Sequence, residues 1–345
     1  LWDLAREARR GFRGEVIGIT GTVGKTSLKE MLAVVLGVRF RVHRSPKSFN
    51  NQIGLPLTIL GAEGAEVLIA EVGVNHRGEM APLAELLKPT VAVVTSVGPG
   101  HLEGLGSTEG VAREKSELFK GARVGVIPKW VERREVFLEV FEGEVLLEPE
   151  LSEVRLEGGG VRFEAGGVEL FVPVPHPGLA QLGAIAWELG RFFGLEKEEM
   201  TKALAEFKVP EMRFQILKVG DWEVVNDAYN SNPLSLKALL GAVKPEGTLL
   251  VLGDMLELGP EAPGWHREAG RWVAERGFKA LVAVGPLMGL AAAEAAARGV
   301  RVWRFRDADA AARKLPKIAQ GFKRVVLKGS RAMALEKLLE VLRAG

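Results

Sequence analysis

The chain has 345 residues, with 46 Lys and Arg against 44 Asp and Glu, and therefore a formal net charge of +2. This length exceeds that of one ordinary domain, so we expect two domains, each with its own core. No dense basic cluster carries interleaved aromatic residues, and no apolar run reaches the ~18 residues of a membrane helix, so neither a nucleic-acid partner nor a membrane span is expected. The chain has no Cys, which excludes disulfides, thiolate chemistry and zinc-thiolate sites.

Strand-like apolar runs alternate with helical patterns through the first part of the chain. The predicted strands are residues 16–20, 67–72, 91–97 and 123–128. The predicted helices are residues 26–36, 79–88, 107–120, 179–193 and 196–207. Between them, the Gly- and Pro-rich segment 146–174 is expected to form a small β excursion. This alternation is typical of a doubly wound α/β sheet, and we assign it to a first domain of residues 1–209.

The second part of the chain repeats the alternation more regularly. Its five predicted strands are residues 222–228, 248–252, 280–284, 300–305 and 324–327. Helices fill the gaps, and the last is expected over residues 332–343. The size and the order of elements predict a Rossmann-like second domain, residues 210–345.

The first predicted strand runs into a glycine-containing turn and then a helix, which is the layout of a phosphate-binding loop. Glycines let backbone N–H groups face an anion, and the helix N-terminus adds positive potential. In this layout Lys25 reaches the outer phosphates and the Thr26 hydroxyl can hold Mg²⁺. Ile19 stands where the strict motif has its first Gly, so an ordinary Gly-rich turn is the alternative. The predicted nucleotide-binding residues are Gly21, Thr22, Val23, Gly24, Lys25 and Thr26.

Two ionisable residues follow predicted strands, where ligands of open α/β sheets bind. A charge at Glu71 is costly unless it is paired or holds a metal, and a carboxylate near phosphates suits Mg²⁺. The alternative for Glu71 is a local ion pair or a loop cap. His101 follows a Gly-Pro-Gly turn and is a candidate to bind metal or to orient a phosphate, although a lone loop histidine often does neither.

Lys115 shares one face of its predicted helix with apolar residues. Such a lysine either extends along the surface to water or has a role inside the protein, and the spacing alone does not decide between the two. On another face, Arg113 and Glu117 are expected to form an exposed pair.

Asparagine and tyrosine are scarce and clustered. The six Asn residues and the single Tyr are Asn50, Asn51, Asn75, Asn226, Asn230, Asn232 and Tyr229. The clustering favours a function for these patches, while turn and cap formation is the alternative.

Several segments, in chain order, resemble those of the Mur ligase family, and in particular its D-alanyl-D-alanine-adding branch. They are residues 20–26, 48–58, 71–79, 97–104, 115–119, 226–233, 251–259 and 328–331. The resemblance implies a P-loop-type central ATPase domain followed by a Rossmann-like C-terminal domain. It also implies an ATP- and Mg²⁺-dependent ligase of peptidoglycan precursor synthesis. This activity joins the carboxylate of a UDP-N-acetylmuramoyl-tripeptide to D-alanyl-D-alanine through an acyl phosphate. A cytoplasmic monomer acting on small-molecule substrates is expected.

The resemblance further implies roles for individual residues. Those carried over as catalytic are Lys25, Glu71, His101, Lys115, Arg213 and Asp227. Arg213, Asp227 and Asn230 are expected to contribute to nucleotide binding. The implied Mg²⁺ ligands are Thr26, Glu71, His101 and, if it is carbamylated, Lys115. The residues expected to face the peptide substrates are Asn50, Asn51, Asn75, Tyr229, Asn232, Asp254, Lys328, Ser330 and Arg331.

The sequence also departs from the family's pattern. Ala180, Gln181 and Ala184 stand where the family carries a His-Asn pair and a further Asn near the adenine. Met212 replaces a usual Gly, and Asn226 replaces an Asp. The family's N-terminal domain, which grips the UDP end of the precursor, is expected to be missing from this sequence. The alternatives left open are a sibling ligase for another amine, a catalytically silent nucleotide-binding homologue, and a generic P-loop kinase or GTPase.

Overall fold

The computed structural model describes residues 1–344. The chain divides into two compact units, the first covering Leu1–Lys208 and the second starting at Val209. Over the described residues, no helix is both long enough and apolar enough to cross a membrane.

The first unit is built on alternating strands and helices. In chain order its elements are α1 (Trp2–Gly11), β1 (Glu15–Thr20), α2 (Lys25–Leu36), β2 (Val42–Arg44), α3 (Gly54–Leu60), β3 (Val67–Glu71), α4 (Met80–Leu87), β4 (Val91–Val94), α5 (Leu102–Leu105), α6 (Thr108–Ser116), a 3-10 turn (Glu117–Phe119), β5 (Val124–Val126), α7 (Arg134–Val140), β6 (Val145–Leu147), β7 (Ser152–Glu157), β8 (Gly160–Ala165), β9 (Val168–Val172), α8 (Gly178–Phe192) and α9 (Lys197–Ala205).

A parallel six-stranded sheet organises this unit, with the order β2-β3-β1-β4-β5-β6. Its central strands are buried along almost their whole length because helices cover both faces, which explains their uninterrupted apolar runs. Strands β1, β3 and β4 are neighbours and point the same way, so the segments after Thr20, Glu71 and Val94 emerge at one edge of the sheet. Ligands bind at this edge in open α/β sheets.

A separate antiparallel sheet of β7, β8 and β9 follows the main sheet. It buries Val161 and Phe163 of β8 against α8, whereas every residue of β7 is exposed. The predicted β excursion was wrong at its start, because β6 pairs with β5 as the last strand of the parallel sheet. Strand β6 is short and only half-buried, so its sequence does not distinguish it from the excursion that follows.

The second unit contains another sheet flanked by helices. Its elements are β10 (Gln215–Val219), β11 (Trp222–Asn226), α10 (Pro233–Ala242), β12 (Thr248–Gly253), a 3-10 turn (Gly259–Glu261), α11 (Ala262–Glu275), β13 (Ala280–Val284), α12 (Met288–Ala296), β14 (Arg301–Phe305), α13 (Ala308–Ala312), α14 (Leu315–Ala319), β15 (Arg324–Lys328), a 3-10 turn (Arg331–Met333) and α15 (Lys337–Ala344).

The sheet of the second unit has six strands in the order β10-β11-β15-β12-β13-β14, one more than the five predicted. The additional strand, β10, is antiparallel to β11, whereas the other pairs are parallel. It lies at an edge and alternates between partly buried and exposed residues, so it lacks the continuous apolar run of a central parallel strand.

Two helical predictions were also incomplete. The last helix begins at Lys337 rather than at residue 332, because Ala334 has a left-handed φ of 50° that separates the preceding 3-10 turn from α15. Residues 2–11 form α1, which was not predicted. Five of its ten residues are charged and only Ala5 is fully buried, so no apolar run marks this helix in the sequence.

His266 joins α11 to the loop after β12 while being completely buried. Its Nδ1–H donates to the Ala262 carbonyl at 2.6 Å, and its Nε2 accepts from the Met255 N–H at 3.0 Å. This arrangement requires the neutral ring, because a second ring proton would face the Met255 N–H. Burial, the main cause, lowers the pKa of His266 below its ordinary value of 6.5.

Below pH 6.5 the unfolded chain binds a proton at His266, whereas the folded protein keeps the ring neutral until its lowered pKa is reached. The free energy of unfolding is therefore highest above pH 6.5 and falls as the pH drops below that value. We therefore expect His266→Gln to flatten the decline in melting temperature between pH 8 and pH 5.5. At pH 8 the same variant should cost about 1–3 kcal/mol through the two lost hydrogen bonds. Calorimetry at both pH values checks this, and parallel pH profiles for the two proteins would contradict it.

Candidate active site

The turn between β1 and α2 is held in a tight conformation by two glycines. Gly21 has a φ of 144° and Gly24 a φ of 93°, values that side-chain-bearing residues rarely adopt. A Cβ on Gly21 would lie 2.0 Å from the Thr95 hydroxyl, so the turn packs directly against the segment after β4. Helix α2 then begins at Lys25 with no acidic residue in its first turn, which leaves an N-terminus suited to an anion.

Hydrogen bonds fix this turn to the neighbouring strand end. The Thr22 N–H donates to the Ser96 carbonyl at 2.9 Å, and the Val23 N–H donates to the Ser96 hydroxyl at 2.9 Å. The Lys25 ammonium folds back and donates to the Gly21 carbonyl at 2.7 Å. The six residues predicted to bind phosphate therefore form one compact loop with a lysine lying over it.

The Glu71 carboxylate lies beside this loop and is only 1% exposed. One of its oxygens accepts from the Thr26 hydroxyl at 2.9 Å, and the other accepts from the Asn50 side-chain amide at 2.8 Å. The structure thus brings together two residues predicted to hold Mg²⁺ and one predicted to face the peptide substrate.

The donor set around Glu71 fits a hard divalent cation. Thr26 and Glu71 present oxygen atoms in contact with each other, and Mg²⁺ prefers oxygen ligands. Within residues 1–344 there is no group of three or more His, Cys, Asp or Glu side chains that could hold a metal. Mg²⁺ is commonly bound by one or two protein oxygens, with phosphate oxygens and water completing the shell, so this sparse set is adequate.

His101 lies on a turn that is tied to the phosphate-binding loop. It has a left-handed φ of 54° and precedes the short helix α5. Three residues earlier, the Gly98 N–H donates to the Thr22 hydroxyl at 3.2 Å. This contact holds the His101 turn next to the loop, although His101 and Glu71 do not form a preassembled metal cage.

Lys115 points into the protein rather than along its surface, since its side chain is 1% exposed. Burial is the largest cause that lowers the pKa of Lys115 well below its ordinary value, and the nearby Lys25 charge lowers it further. The sequence left an inward and an outward lysine equally open, and the structure has the inward one.

The expected pair between Arg113 and Glu117 is not formed. Arg113 contacts Glu109 at 2.8 Å, and Glu117 contacts Lys120 at 2.7 Å. Helix α6 ends one residue before Glu117, which starts a 3-10 turn, so the spacing that aligns residues four apart on an α-helix is lost there.

Two of the asparagines predicted to face substrate, Asn51 and Asn75, lie in the loops that precede α3 and α4. The Asn51 side-chain oxygen accepts from the N–H groups of Ile53 and Gly54 at 3.1 and 2.9 Å, which organises the start of α3. Asn75 is exposed, and its backbone N–H donates to Glu79 at 2.7 Å. Turn formation therefore explains Asn51, and its contact with a substrate stays a prediction.

In the second unit, the ends of the adjacent strands β11 and β15 hold a charged pair. The Lys328 ammonium, only 2% exposed, lies 2.7 Å from the Asp227 carboxylate and donates to the Asn230 carbonyl at 3.0 Å. The other Asp227 oxygen accepts from the Phe214 N–H at 2.9 Å. The structure thus links three residues that the sequence assigned to nucleotide and substrate binding.

Arg213 lies beside this pair, with its guanidinium 4.0 Å from the centre of the Tyr229 ring. This distance is typical of a cation–π contact. Both neighbours of Arg213 have left-handed backbones, Met212 with φ 59° and Phe214 with φ 54°. Met212 thus takes the backbone conformation that a glycine adopts most easily, and the resemblance gives that position a glycine in other Mur ligases.

Asn232 and Asp254 have structural partners in the second unit. Asn232 caps α10, where its side chain accepts from the Ser235 N–H at 2.9 Å. Asp254 accepts from the N–H groups of Leu287 and Met288 at 3.3 and 2.6 Å, at the start of α12. These contacts give both side chains a structural role, and their contact with a substrate stays a prediction.

Ser330 and Arg331 follow β15, close in sequence to Lys328. The Ser330 hydroxyl accepts from the Leu256 N–H at 2.9 Å, which connects two strand-end loops. Arg331 is exposed and forms an ion pair with Glu336 at 3.0 Å. A carboxylate-binding role for Arg331 stays a prediction.

The departures from the family pattern lie at buried or partly buried positions. Ala180 and Ala184 are buried in α8, whereas Gln181 is half-buried. Asn226 is buried at the end of β11, where its side-chain oxygen accepts from the Ala228 N–H at 3.3 Å.

Sequence reasoning missed two polar residues that border the site, Lys29 and Ser45. Both are completely buried. The Ser45 hydroxyl accepts from the Glu71 N–H at 3.0 Å. Lys29 lies one helical turn after Lys25, among the buried residues of α2. This position on the helix was the signal from which its buried side chain could have been predicted.

Comparisons with known proteins agree with this architecture. The Mur ligase middle domain model matches residues 19–139, and the Mur ligase glutamate ligase domain model matches residues 212–331. The UDP-N-acetylmuramoyl-tripeptide--D-alanyl-D-alanine ligase of Bacillus subtilis is 32% identical, over 99% of this chain and 78% of its own length. The ligase of the same name from Treponema pallidum is 33% identical with the same coverage.

Solved structures show the same fold. The crystal structure of MurF from Acinetobacter baumannii superimposes with a TM-score of 0.90 at 24% identity, covering 100% of this chain and 80% of that one. The MurF ligase of Thermotoga maritima in complex with ADP gives a TM-score of 0.86 at 26% identity, with 99% and 82% covered. The predicted fold class is therefore confirmed.

The two family models, matched in order over the two sheet domains, show that the chain is a Mur ligase. Within that class, the similarity extends over almost the whole chain to ligases of one specificity. The chain belongs to the family of UDP-N-acetylmuramoyl-tripeptide--D-alanyl-D-alanine ligases.

The close contact at Gly21 makes a testable prediction about stability. Gly21→Ala should lower the free energy of unfolding by about 3 kcal/mol or more, because it adds both an unfavourable backbone conformation and a clash with Thr95. Gly121→Ala is the matched control, since Gly121 also has a positive φ but open space around it. That variant should cost only about 1 kcal/mol. Urea unfolding of both variants checks this, and equal losses would contradict the role given to Thr95.

Proposed function

We propose that this chain forms the amide bond between the carboxylate of a UDP-N-acetylmuramoyl-tripeptide and the amine of D-alanyl-D-alanine, with ATP as the energy source. The names of the relatives support this substrate pair. One observation carries the proposal most directly. The Thr26 hydroxyl and the buried Glu71 carboxylate contact each other at the entrance to the phosphate-binding helix α2.

In this proposal the first unit binds the phosphates of ATP. The Lys25 ammonium and the N-terminus of α2 attract the negative charge of the outer phosphates. Thr26 and Glu71 hold Mg²⁺, with His101 close to the same loop. The metal supplies charge neutralisation on the transferring phosphoryl group.

Lys115 has a separate role at the same place. Its burial and its lowered pKa favour the neutral amine, which is the form that can react with CO₂ to give a carbamate. We propose that Lys115 carries this modification, as the family resemblance implies, and that the resulting anion helps to hold a second Mg²⁺.

The second unit supplies positive charge and hydrogen-bonding groups. We propose that Arg213, Asp227 and Asn230 contribute to the nucleotide and its phosphates. The contact with Tyr229 restricts the Arg213 guanidinium, and a restricted guanidinium loses less entropy when it binds an anion. The peptide substrates are assigned to the remaining polar residues, namely Asn50, Asn51, Asn75, Tyr229, Asn232, Asp254, Lys328, Ser330 and Arg331.

The reaction has two steps. The carboxylate oxygen of the tripeptide attacks the γ-phosphorus of ATP, the bond to the β-phosphate oxygen breaks, and ADP leaves. The neutral amine of D-alanyl-D-alanine then attacks the acyl phosphate carbon, inorganic phosphate leaves with the bonding electrons, and the amine loses a proton. The positive charges of Lys25 and Arg213 stabilise the transferring phosphoryl group. We assign this reaction to the cytoplasm and to a monomeric protein, as the family resemblance implies.

An ADP-release assay tests the proposal. Continued ADP release over many turnovers should require both the UDP-linked tripeptide and D-alanyl-D-alanine, because the amine consumes the acyl phosphate formed in the first step. Lys25→Met should lower the rate on the order of 100-fold or more, because it removes a positive charge that faces the transferring group. Lys120→Met removes an exposed lysine from the same unit and should leave the rate as it is.

Other outcomes point to the alternatives. Equal turnover with glutamate or a diamino acid as the amine would indicate a sibling ligase. Saturable ADP binding without turnover under any combination of substrates would indicate a catalytically silent homologue.

A further inference from the structure

Lys29 is a completely buried lysine that the proposed reaction does not use. Its ammonium donates to the carbonyl oxygens of Ser45, at 2.7 Å, and Lys47, and it forms an ion pair with Glu30 at 3.1 Å. An ammonium has three N–H donors, and three partners account for all of them. Lys29 is therefore not a second phosphate-binding lysine, since no donor is left for an anion.

The partner at Lys47 is unusual in its backbone. Lys47 has a left-handed φ of 46°, which is unfavourable for a residue with a side chain, and that side chain is exposed. The surrounding structure has to compensate for such a conformation. The buried Lys29 ammonium donates to the carbonyl of this same residue and so holds it in place.

The segment that Lys29 holds, residues 45–50, touches Glu71 at both of its ends. The Ser45 hydroxyl accepts from the Glu71 N–H at 3.0 Å, and the Asn50 amide donates to the Glu71 carboxylate at 2.8 Å. The chain is anchored again where the Ser45 N–H donates to the Ile69 carbonyl and the Gly73 N–H donates to the Asn50 carbonyl. Lys29 thus fixes the middle of a segment whose ends determine where the Glu71 carboxylate points.

We propose that Lys29 is a positioning residue for the metal site, which acts on Glu71 through residues 45–50. The inference rests on the proposed function in one respect, the role of Glu71 in holding Mg²⁺. Residues that orient a metal ligand through hydrogen bonds typically change metal affinity 10- to 100-fold when they are replaced. Lys29 contacts residues 45–50 rather than Glu71 itself, so we expect metal affinity to change by about ten-fold, the lower end of this range.

The experiment measures binding of Mn²⁺, as a probe for Mg²⁺, to the ADP-saturated protein by electron paramagnetic resonance. Lys29→Met keeps the length of the side chain and removes its three donors. We expect it to weaken Mn²⁺ binding about ten-fold and to raise the Mg²⁺ concentration for half-maximal ADP release by a similar factor. The KM for D-alanyl-D-alanine should not change. Lys29→Arg should recover part of the loss, since it restores a buried cation.

A second pair of variants tests the segment without touching the buried lysine. Lys47→Val disfavours the left-handed backbone because Val is β-branched, whereas Lys47→Gly favours it, and the side chain at this position is exposed in either case. We expect Lys47→Val to weaken Mn²⁺ binding as Lys29→Met does and Lys47→Gly to bind as the unmodified protein does. If Lys29→Met does not fold, this pair decides the question.

The outcomes separate this inference from the proposed function. Unchanged Mn²⁺ binding in folded Lys29→Met and in Lys47→Val, with normal turnover of the unmodified protein, would overturn the inference and leave the function standing. Weakened Mn²⁺ binding in both variants, with no turnover that depends on D-alanyl-D-alanine in the unmodified protein, would support the inference and overturn the function. If the unmodified protein binds no Mn²⁺ with ADP, both fail.

Discussion

The first unit is organised around one carboxylate in a place almost without water. Glu71 is at the end of a buried strand, and a buried charge is tolerated only when hydrogen bonds or a cation compensate for it. The Thr26 hydroxyl and the Asn50 amide supply direct compensation, and Ser45 holds the backbone of Glu71. The start of α2 and the segment after β2 therefore have to meet at this carboxylate. Their convergence on Glu71 creates a cation site next to the phosphate-binding loop.

The second unit also buries a charged group with a partner, in this case the Lys328 ammonium with the Asp227 carboxylate. Asp227 directly follows β11, and Lys328 is the last residue of the neighbouring parallel strand β15. The register of the two strands therefore brings their side chains together. The Asp227 carboxylate and the Asn230 carbonyl both accept from the buried Lys328 ammonium, and these contacts offset the loss of its hydration. Arg213 lies over the Tyr229 ring, and this contact restricts its guanidinium. Both units thus place their chemistry at the carboxyl ends of parallel strands.

This shared geometry explains what could be predicted from the sequence. The position of Glu71 followed from the rule that parallel strands end at one edge of a sheet, and the loop before α2 followed from its glycines and lysine. The inward direction of Lys115 could not be predicted, because helical spacing is equally compatible with a lysine that reaches water. Lys29 was missed for a related reason, since its carbonyl partners come from a loop whose path no local pattern defines. Strand β10 was missed because an edge strand needs no continuous apolar run.

The order of strands in the second unit has a consequence for how the protein is made. Strand β15, the last strand in the chain, lies between β11 and β12 in the middle of the sheet. Its terminal residue Lys328 pairs with Asp227, 101 positions earlier in the chain. During synthesis the parallel sheet of the first unit can assemble once β6 has emerged, whereas the second sheet has a gap at its centre until β15 has been made. Contacts between residues so distant in sequence form slowly, so the nascent chain carries an unfilled strand position for most of the time in which this unit is being translated.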